Sequence, residues 1–231
     1  MLTVADLSVQ YGATRVIRDL RLTVGSGMAV ALLGANGAGK STTLQAIAGM
    51  IRPVRGSIQV NGEEISTYPL HRVVKRGLAF VPEERMVVAP LTVAENLELS
   101  ALAGRERVDS RREEVFAIFP EVVALRGRRA GSLDTMQRLM LALGRAVMTR
   151  PTMILVDQPC RGLDGTQGER IYAGLAQIRD LGYALLLSDQ NIALALGLCE
   201  YGYVMRHGAL VAHGKPEALN NSDEIADAYL G

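Results

Sequence analysis

The sequence Gly34-Ala35-Asn36-Gly37-Ala38-Gly39-Lys40-Ser41 follows an apolar run at residues 28–33 and precedes a helical pattern at residues 41–50. It matches the pattern G-x-x-x-x-G-K-[ST] in the setting that this pattern requires, between a buried strand and a helix. The glycines allow a tight loop whose N–H groups converge on phosphate oxygens, and the positive end of the helix dipole faces the same charge. The alternative is a glycine-rich turn that only joins strand to helix, but the flanking pattern favours a phosphate site.

Two side chains of this segment have expected roles beyond the loop itself. Lys40 is expected to reach the β- and γ-phosphates of a nucleoside triphosphate, and the Ser41 hydroxyl is expected to bind Mg²⁺. The predicted nucleotide contacts are Gly34, Ala35, Asn36, Gly37, Ala38, Gly39, Lys40, Ser41 and Thr42.

A second candidate Mg²⁺ ligand lies far along the chain, in Met153-Ile154-Leu155-Val156-Asp157. Proteins with this phosphate loop hold Mg²⁺ with an Asp at the end of a buried strand. A lone Asp after four apolar residues is also a common end to a strand. Because it accompanies the phosphate loop, we assign Asp157 to the metal site.

Short apolar segments alternate with helical patterns, which predicts an α/β fold whose parallel sheet is covered on both faces. Residues 2–9 alternate well enough for an antiparallel edge strand, and Asn61-Gly62 predicts a hairpin turn. A short helix is expected at residues 222–230. Further buried strands are expected at residues 58–60, 78–81, 153–156, 184–187 and 202–205.

The middle of the chain has a different pattern. From about residue 91 to residue 130 no strand is predicted. Thr92-Val93-Ala94-Glu95 and Ser110-Arg111-Arg112-Glu113 both fit a capping box, so a helix is expected after each. This segment is predicted to be a helical insertion between two α/β halves.

Composition excludes several classes of protein. The 231 residues carry 25 Lys and Arg against 24 Asp and Glu, and a net charge of +1 does not fit a nucleic-acid binder held by phosphate contacts. Two cysteines, with no C-x-x-C pair, support neither a zinc site nor a disulfide framework. Apolar runs are far shorter than the roughly 20 residues of a membrane span, and no signal peptide is recognised.

The phosphate loop, Asp157 and the helical insertion between them resemble the ATP-binding subunits of ABC transporters over nearly the whole chain. The segments at residues 91–97, 140–145 and 227–231 are most similar to one of the two ATPase subunits of branched-chain amino-acid importers, a subgroup that includes urea and amide importers. The resemblance implies a P-loop NTPase with a RecA-like core, a mixed sheet, an N-terminal antiparallel β subdomain and an inserted helical subdomain. In this single domain, 1–231, the core is expected at 1–85 and 133–231, and the insertion at about 86–132.

The resemblance implies roles for three further residues. Tyr11 matches the aromatic residue that stacks on adenine, although a tyrosine at a strand end is also ordinary. Glu83 lies where most members have a Gln that joins Mg²⁺ to the permease interface. Gln190 matches the switch position, a His in most members, where its amide can bond the γ-phosphate or a water. The alternative for Gln190 is a solvent-facing residue at a helix N-terminus.

Two segments depart from the family pattern. Gln158 stands where a Glu is expected to polarise the attacking water, and an amide cannot take a proton. It is either a native adaptation or an engineered substitution, because the same swap is used to hold such ATPases in the ATP state. The signature L-S-G-G-[EQ]-Q is replaced by Leu133-Asp134-Thr135-Met136-Gln137-Arg138. The Asp134 carboxylate and the larger side chains are expected to support the partner's ATP poorly.

The resemblance implies an ATPase subunit of an importer, with ATP and Mg²⁺ as cofactors and with Asp157, Gln158 and Gln190 as catalytic residues. Its expected partners are a second, different ATPase subunit, two membrane permeases and, indirectly, a solute-binding protein, but no nucleic acid. The expected location is the cytoplasmic face of the inner membrane, as a peripheral subunit. The alternative is a regulatory ATP-binding partner that hydrolyses ATP poorly. A soluble ABC protein or a P-loop kinase is disfavoured, because neither the length nor the motifs fit.

Overall fold

The computed structural model describes residues 1–84, 87–102, 108–220 and 223–230. Its centre is a six-stranded sheet with the strand order β10-β9-β3-β8-β7-β6. Neighbouring strands from β9 to β6 are parallel, and β10 pairs antiparallel with β9 at one edge. The sheet is therefore mixed, as expected. Its strands are β3 (Ala29–Leu33), β6 (Leu78–Val81), β7 (Met153–Asp157), β8 (Ala184–Asp189), β9 (Tyr201–Arg206) and β10 (Ala209–Gly214).

A second, four-stranded sheet forms the antiparallel subdomain near the N-terminus, with the order β2-β1-β4-β5. Its strands are β1 (Leu2–Tyr11), β2 (Thr14–Val24), β4 (Arg55–Val60) and β5 (Glu63–Glu64). The prediction that residues 2–9 form an edge strand is wrong, because β1 pairs with β2 on one side and β4 on the other. The charged, exposed side chains of β2 and its irregular pairing around Asp19 obscured this strand in the sequence. The hairpin turn at Asn61-Gly62 is confirmed, with positive φ at both residues.

The helices occupy both faces of the six-stranded sheet and the segment between β6 and β7. A 3₁₀ turn spans Ala130–Ser132. Within the described ranges, no helix combines the length and the apolar character that a membrane crossing requires. The helices are α1 (Lys40–Ile47), α2 (Leu70–Lys75), α3 (Val93–Ala101), α4 (Val108–Ile118), α5 (Pro120–Ala124), α6 (Thr135–Met148), α7 (Gly165–Asp180), α8 (Ile192–Leu198), α9 (Pro216–Asn220) and α10 (Asp223–Leu230).

Alternate residues of the central strands enter two different cores. Val30 and Leu32 of β3 pack with the antiparallel sheet and α1. Ala31 and Leu33 pack with α6, α7 and the helices that precede α6. All five side chains of β3 are buried, which explains why its sequence is continuously apolar and confirms that this sheet is covered on both faces.

The segment between β6 and α6 contains helices and no strand in its described residues. Thr92 caps α3 as predicted, since its hydroxyl accepts a hydrogen bond from the Glu95 N–H and the Glu95 carboxylate accepts one from the Thr92 N–H. Ser110 does not cap a helix, because it lies inside α4, which already includes Val108. The S-x-x-E spacing also occurs within helices, so it did not identify an end here. Ser222, the expected start of the last helix, lies outside the described residues.

The parallel order brings three loops to one edge of the sheet. Leu33 of β3 is in register with Asp189 of β8, and Asp157 of β7 is in register with Ser188. The segments that follow β3, β7 and β8 therefore meet where the carboxyl ends of these strands lie. In open α/β sheets this edge is where ligands bind.

Candidate nucleotide site

The loop that follows β3 requires glycine at two positions for steric reasons. A Cβ on Gly34 would lie 2.3 Å from the Met205 carbonyl oxygen, and one on Gly39 would lie 2.6 Å from the Ile17 side chain. Both glycines also have positive φ, 144° and 107°. The helix α1 begins directly after Gly39, so its unpaired N–H groups open towards the loop.

Lys40 is almost fully buried, at 3% exposure, and its ammonium group lies over the loop. Its Nζ donates hydrogen bonds to the carbonyl oxygens of Gly34 and Ala35, at 2.7 and 2.9 Å. Burial lowers the pKa of Lys40, while the nearby carboxylates of Asp157 and Asp189 act in the opposite direction. The loop thus holds a cation beside its N–H groups, as a phosphate site requires.

Ser41 and Asp157 are brought together from opposite parts of the sequence. The Ser41 hydroxyl donates a hydrogen bond to Asp157 Oδ1 at 3.0 Å, and the Ser188 hydroxyl donates to the same oxygen. Burial raises the pKa of the Asp157 carboxyl, although these hydrogen bonds and Lys40 act to lower it.

The oxygens of Ser41 and Asp157 fit Mg²⁺, because this ion prefers oxygen ligands and takes most of the others from water and phosphate. In the described ranges no group of three or more His, Cys, Asp or Glu side chains could hold a metal on its own. An Mg²⁺ ion held by Ser41 and Asp157 would take its remaining ligands from water and phosphate.

Three amide side chains meet beside the loop. The Nε2 of Gln190 donates hydrogen bonds to Gln158 Oε1 at 2.9 Å and to Asn36 Oδ1 at 2.6 Å. Both N–H hydrogens of Gln190 are thereby used, and its Oε1 accepts no bond from the described residues. Gln158 is 7% exposed and has a positive φ of 49°, so its backbone conformation is unusual for a residue with a side chain.

Asp189 organises the loop after β8 and was not singled out from the sequence. Its carboxylate accepts hydrogen bonds from the Tyr172 hydroxyl at 2.8 Å and from the backbone N–H groups of Gln190 and Asn191. Burial raises the pKa of Tyr172 well above its ordinary value, and Asp189 adds to that effect. A signal close to the one used for Asp157 could have found Asp189, which ends a buried strand two residues after the apolar run at residues 184–187.

Glu83 and Tyr11 stand apart from this cluster. The Glu83 carboxylate, two residues beyond β6, forms an ion pair with Arg161. Tyr11 ends β1 opposite Thr14 and is 50% exposed. Val16, two residues after Thr14 in β2, lines a pocket of about 200 Å³. The other residues that line this pocket are Gly37, Gly39, Lys40, Ser41, Thr42 and Gln158.

The segment at residues 133–138, which was compared with the family signature, caps its own helix. Asp134 Oδ1 accepts a hydrogen bond from the Gln137 N–H at 2.8 Å, and Gln137 Oε1 accepts one from the Asp134 N–H at 3.2 Å. This reciprocal pair is a capping box at the start of α6. A carboxylate therefore already occupies the position where the N-terminus of α6 would otherwise attract an external anion.

Comparison with known proteins identifies the family to which this site belongs. Residues 17–161, which include the loop, Asp157 and Gln158, match the sequence profile described as ABC transporter. The chain belongs to the ABC transporter family. It is an ATP-binding subunit of the kind that hydrolyses ATP.

Two curated relatives align over the full length of the chain. One is the high-affinity branched-chain amino acid transport ATP-binding protein BraG of Pseudomonas aeruginosa, 35% identical, with 100% of each chain covered. Another is the lipopolysaccharide export system ATP-binding protein LptB of Haemophilus influenzae, 33% identical, with 100% of this chain and 97% of LptB covered.

A solved structure confirms the fold. The structure of MJ1267, an ATP-binding cassette of an ABC transporter, superposes with a TM-score of 0.87 at 21% identity, and 100% of this chain and 99% of that chain are covered. The α/β fold with a P-loop core and a mixed sheet is thus as predicted.

Proposed function

We propose that this chain binds Mg²⁺-ATP at the loop of residues 34–42 and couples ATP binding and hydrolysis to solute uptake through membrane permeases. The observation that carries the proposal is the convergence of Lys40, Ser41 and Asp157 at one edge of the sheet. The backbone N–H groups of the loop and of the first turn of α1 would bind the phosphates. Lys40 would then exchange its bonds to Gly34 and Ala35 for bonds to phosphate oxygens.

Ser41 and Asp157 would hold the metal, Asp157 through water. Bound Mg²⁺ would neutralise the charge that develops on the β- and γ-phosphate oxygens. Glu83 would join this metal site to the permease interface, but only after it changes its contact with Arg161. Tyr11 would stack on adenine, because it is an exposed aromatic ring on the hairpin that contributes Val16 to the pocket.

The three amides would act on the attacking water and the γ-phosphate. The free Oε1 of Gln190 can accept a hydrogen bond from the water, and the amide nitrogen of Gln158 can donate one to the γ-phosphate. The water oxygen bonds to the γ-phosphorus as the bond to the bridging oxygen breaks, and the proton passes to a phosphate oxygen or to solvent. Because Gln158 cannot accept that proton, we propose slow turnover.

Calorimetric titration of Lys40→Ala tests the nucleotide site. The parent chain is expected to bind Mg²⁺-ATP in the nanomolar to micromolar range, and Lys40→Ala is expected to bind it more weakly because the loop loses its cation. Lys75→Ala, which removes an exposed lysine at the end of α2, is the control. Equal affinity of Lys40→Ala and the parent would show that ATP does not bind at this loop.

Branched-chain amino acids, or a related small polar solute, are the proposed cargo of an importer. Identity to BraG over the full length supports this direction, and the nearly equal identity to LptB keeps export as the competing outcome. Co-purification from membranes, with identification of the bound subunits, separates the two. A complex with importer permeases and a solute-binding protein supports the proposal, whereas recovery of lipopolysaccharide export components contradicts it.

The permeases are proposed to contact an apolar groove of about 300 Å³ between the core and the helices around α6. Phe80 and Val81 of β6 form one wall, and Ala142 and Ala146 of α6 form the other. Pro82 also lines the groove and directly precedes Glu83, so the groove and the nucleotide site share one short segment. This placement would hold the chain at the cytoplasmic face of the inner membrane as a peripheral subunit, with the helical insertion at 86–132 facing the permease.

The second ATPase subunit is proposed to be a different chain. In a head-to-tail homodimer, both composite sites would combine Gln158 with Asp134, whereas a different partner separates the two changes. A carboxylate about 4 Å from a phosphate charge is opposed by roughly 4 kcal/mol at an effective dielectric of about 20, before Mg²⁺ and solvent reduce it.

Restoring Asp134-Thr135-Met136 to Ser-Gly-Gly in the assembled complex tests this arrangement. A rise in ATP occupancy at the partner's phosphate loop is the expected result. Two copies of this chain enclosing ATP in the native complex would contradict it. A regulatory subunit that binds ATP without turnover remains the alternative, favoured by the amide at Gln158, and it predicts no hydrolysis even after assembly.

A further inference from the structure

The last helix of the chain returns to the first glycine of the phosphate loop. The Gly34 N–H donates a hydrogen bond of 3.0 Å to the hydroxyl oxygen of Tyr229, in α10. Ile225 and Ala228 of α10 are buried in the core on one face of the central sheet, and Tyr229 packs against the same core. The tyrosine is thus held by packing, and its hydroxyl reaches a backbone group 195 residues away.

Gly34 has little freedom to leave this contact. The space that a Cβ would need is taken by the Met205 carbonyl of β9. The carbonyl oxygen of Gly34 accepts a hydrogen bond from Lys40 Nζ. Gly34 therefore links two groups. Its N–H donates to the Tyr229 hydroxyl, and its carbonyl oxygen accepts from the Lys40 ammonium group that serves the phosphates.

The electrostatic setting keeps the Tyr229 hydroxyl neutral. Burial raises the pKa of Tyr229 above its ordinary value, although the hydrogen bond from the Gly34 N–H acts to lower it, and the Asp189 carboxylate adds a smaller raising effect. A neutral hydroxyl accepts the Gly34 N–H and still has its own hydrogen to donate.

We propose that Tyr229 is a positioning residue of the nucleotide site, through which the C-terminal helix pre-organises the phosphate loop and so sets the affinity for ATP. It acts through Gly34 and does not touch the nucleotide. Ordering a loop before the ligand arrives reduces the entropy lost on binding, which is why removing one restraint on the loop weakens affinity. The inference rests on the proposed binding of ATP at residues 34–42.

Tyr229→Phe keeps the ring and removes only the hydroxyl. The net contribution of one hydrogen bond corresponds to an affinity change of about 2- to 12-fold, so calorimetric titration should show ATP bound several-fold more weakly. Tyr183→Phe is the matched control, because it removes a half-buried tyrosine hydroxyl that donates to Glu114 Oε2. Tyr183 directly precedes β8, at the end of that strand away from Asp189. Both variants are expected to lower the melting temperature slightly, but only Tyr229→Phe should weaken ATP binding.

Equal ATP affinity of Tyr229→Phe and the parent overturns the inference, and so does an equal loss in both variants, which would reflect general destabilisation. Failure of the parent itself to bind ATP would instead contradict the proposed function. Amide hydrogen exchange in the unaltered chain gives a reading that does not depend on the folding of a variant. The Gly34 amide should exchange slowly, and exchange as fast as that of the exposed Gly62 would overturn the contact.

Discussion

Replacing Gln158 with Glu changes one atom of the amide cluster and adds a proton acceptor at the position proposed to act on the attacking water. Gln158 Oε1 accepts the hydrogen bond from Gln190 Nε2, and a carboxylate oxygen can accept the same bond. The side chain is almost fully buried and follows β7 directly, so its position is fixed by the strand. The substitution therefore keeps the geometry and exchanges an amide nitrogen for a second oxygen.

The expected gain follows from two opposing effects. A positioned general base contributes about 10²- to 10⁴-fold to the rate, or roughly 2.7–5.5 kcal/mol of barrier. Burial and the neighbouring Asp157 and Asp189 would raise the pKa of the new carboxyl, whereas Lys40 would lower it. A raised pKa leaves part of the base protonated near neutral pH. We therefore expect the lower end of the range, an increase of about 10²-fold.

Steady-state ATP hydrolysis by the complex assembled with its partner subunits is the assay. Gln177→Glu adds the same charge at an exposed position of α7 and should leave the rate unchanged. Hydrolysis by Gln158→Glu should also rise with pH as the buried carboxyl loses its proton, and the parent should lack this titration. An unchanged or lower rate in Gln158→Glu would refute the reasoning and show that the amide is a native adaptation that positions water by another route.

Three further outcomes are expected. Tyr11→Ala should weaken ATP binding by about 2- to 12-fold in calorimetry, because stacking contributes roughly 0.5–1.5 kcal/mol, while Tyr11→Phe should bind like the parent. The gain in ATP affinity on adding Mg²⁺, measured at several pH values, should become smaller as pH falls. Burial raises the pKa of Asp157, and protonation removes the charge of its carboxylate. Asp189→Asn should lower the melting temperature by several degrees, because the Tyr172 hydroxyl and the Gln190 N–H, which now donate to a buried carboxylate, would face an amide. Asp180→Asn, which changes an exposed ion pair, should leave the melting temperature unchanged.

The central sheet and the phosphate loop could be predicted because their determinants are local. Five strand predictions match strands of the central sheet, since strands that are buried on both faces are continuously apolar. Strand β2 was missed because Arg15, Arg18 and Arg21 face outwards while Ile17 and Leu20 are buried, so the alternation is broken near Asp19. Apolar periodicity does not reveal a strand whose register shifts within it.

Contacts between distant segments could not be predicted from the sequence. The bond from Gln190 to Asn36 and the ion pair from Glu83 to Arg161 join loops whose proximity depends on strand order. Asp134 was predicted to oppose a partner's phosphate, and its use as a helix cap was missed, although the three-residue spacing from Asp134 to Gln137 fits a capping box. The core and insertion boundaries and the assigned roles of the site residues stay predictions.

The three residues at which this chain is unusual, Gln158, Asp134 and Glu83, share one physical property. A side-chain oxygen of each already has a hydrogen-bond or ion-pair partner within the chain. The Gln158 oxygen is bonded to Gln190, the Asp134 carboxylate is bonded to the backbone of its own helix, and the Glu83 carboxylate is paired with Arg161. Of these groups, the Glu83 carboxylate would have to leave Arg161 before it could join the metal site. We therefore propose that this chain retains ATP more readily than it hydrolyses it, and that rapid turnover in the complex would require a catalytic carboxylate from a different partner.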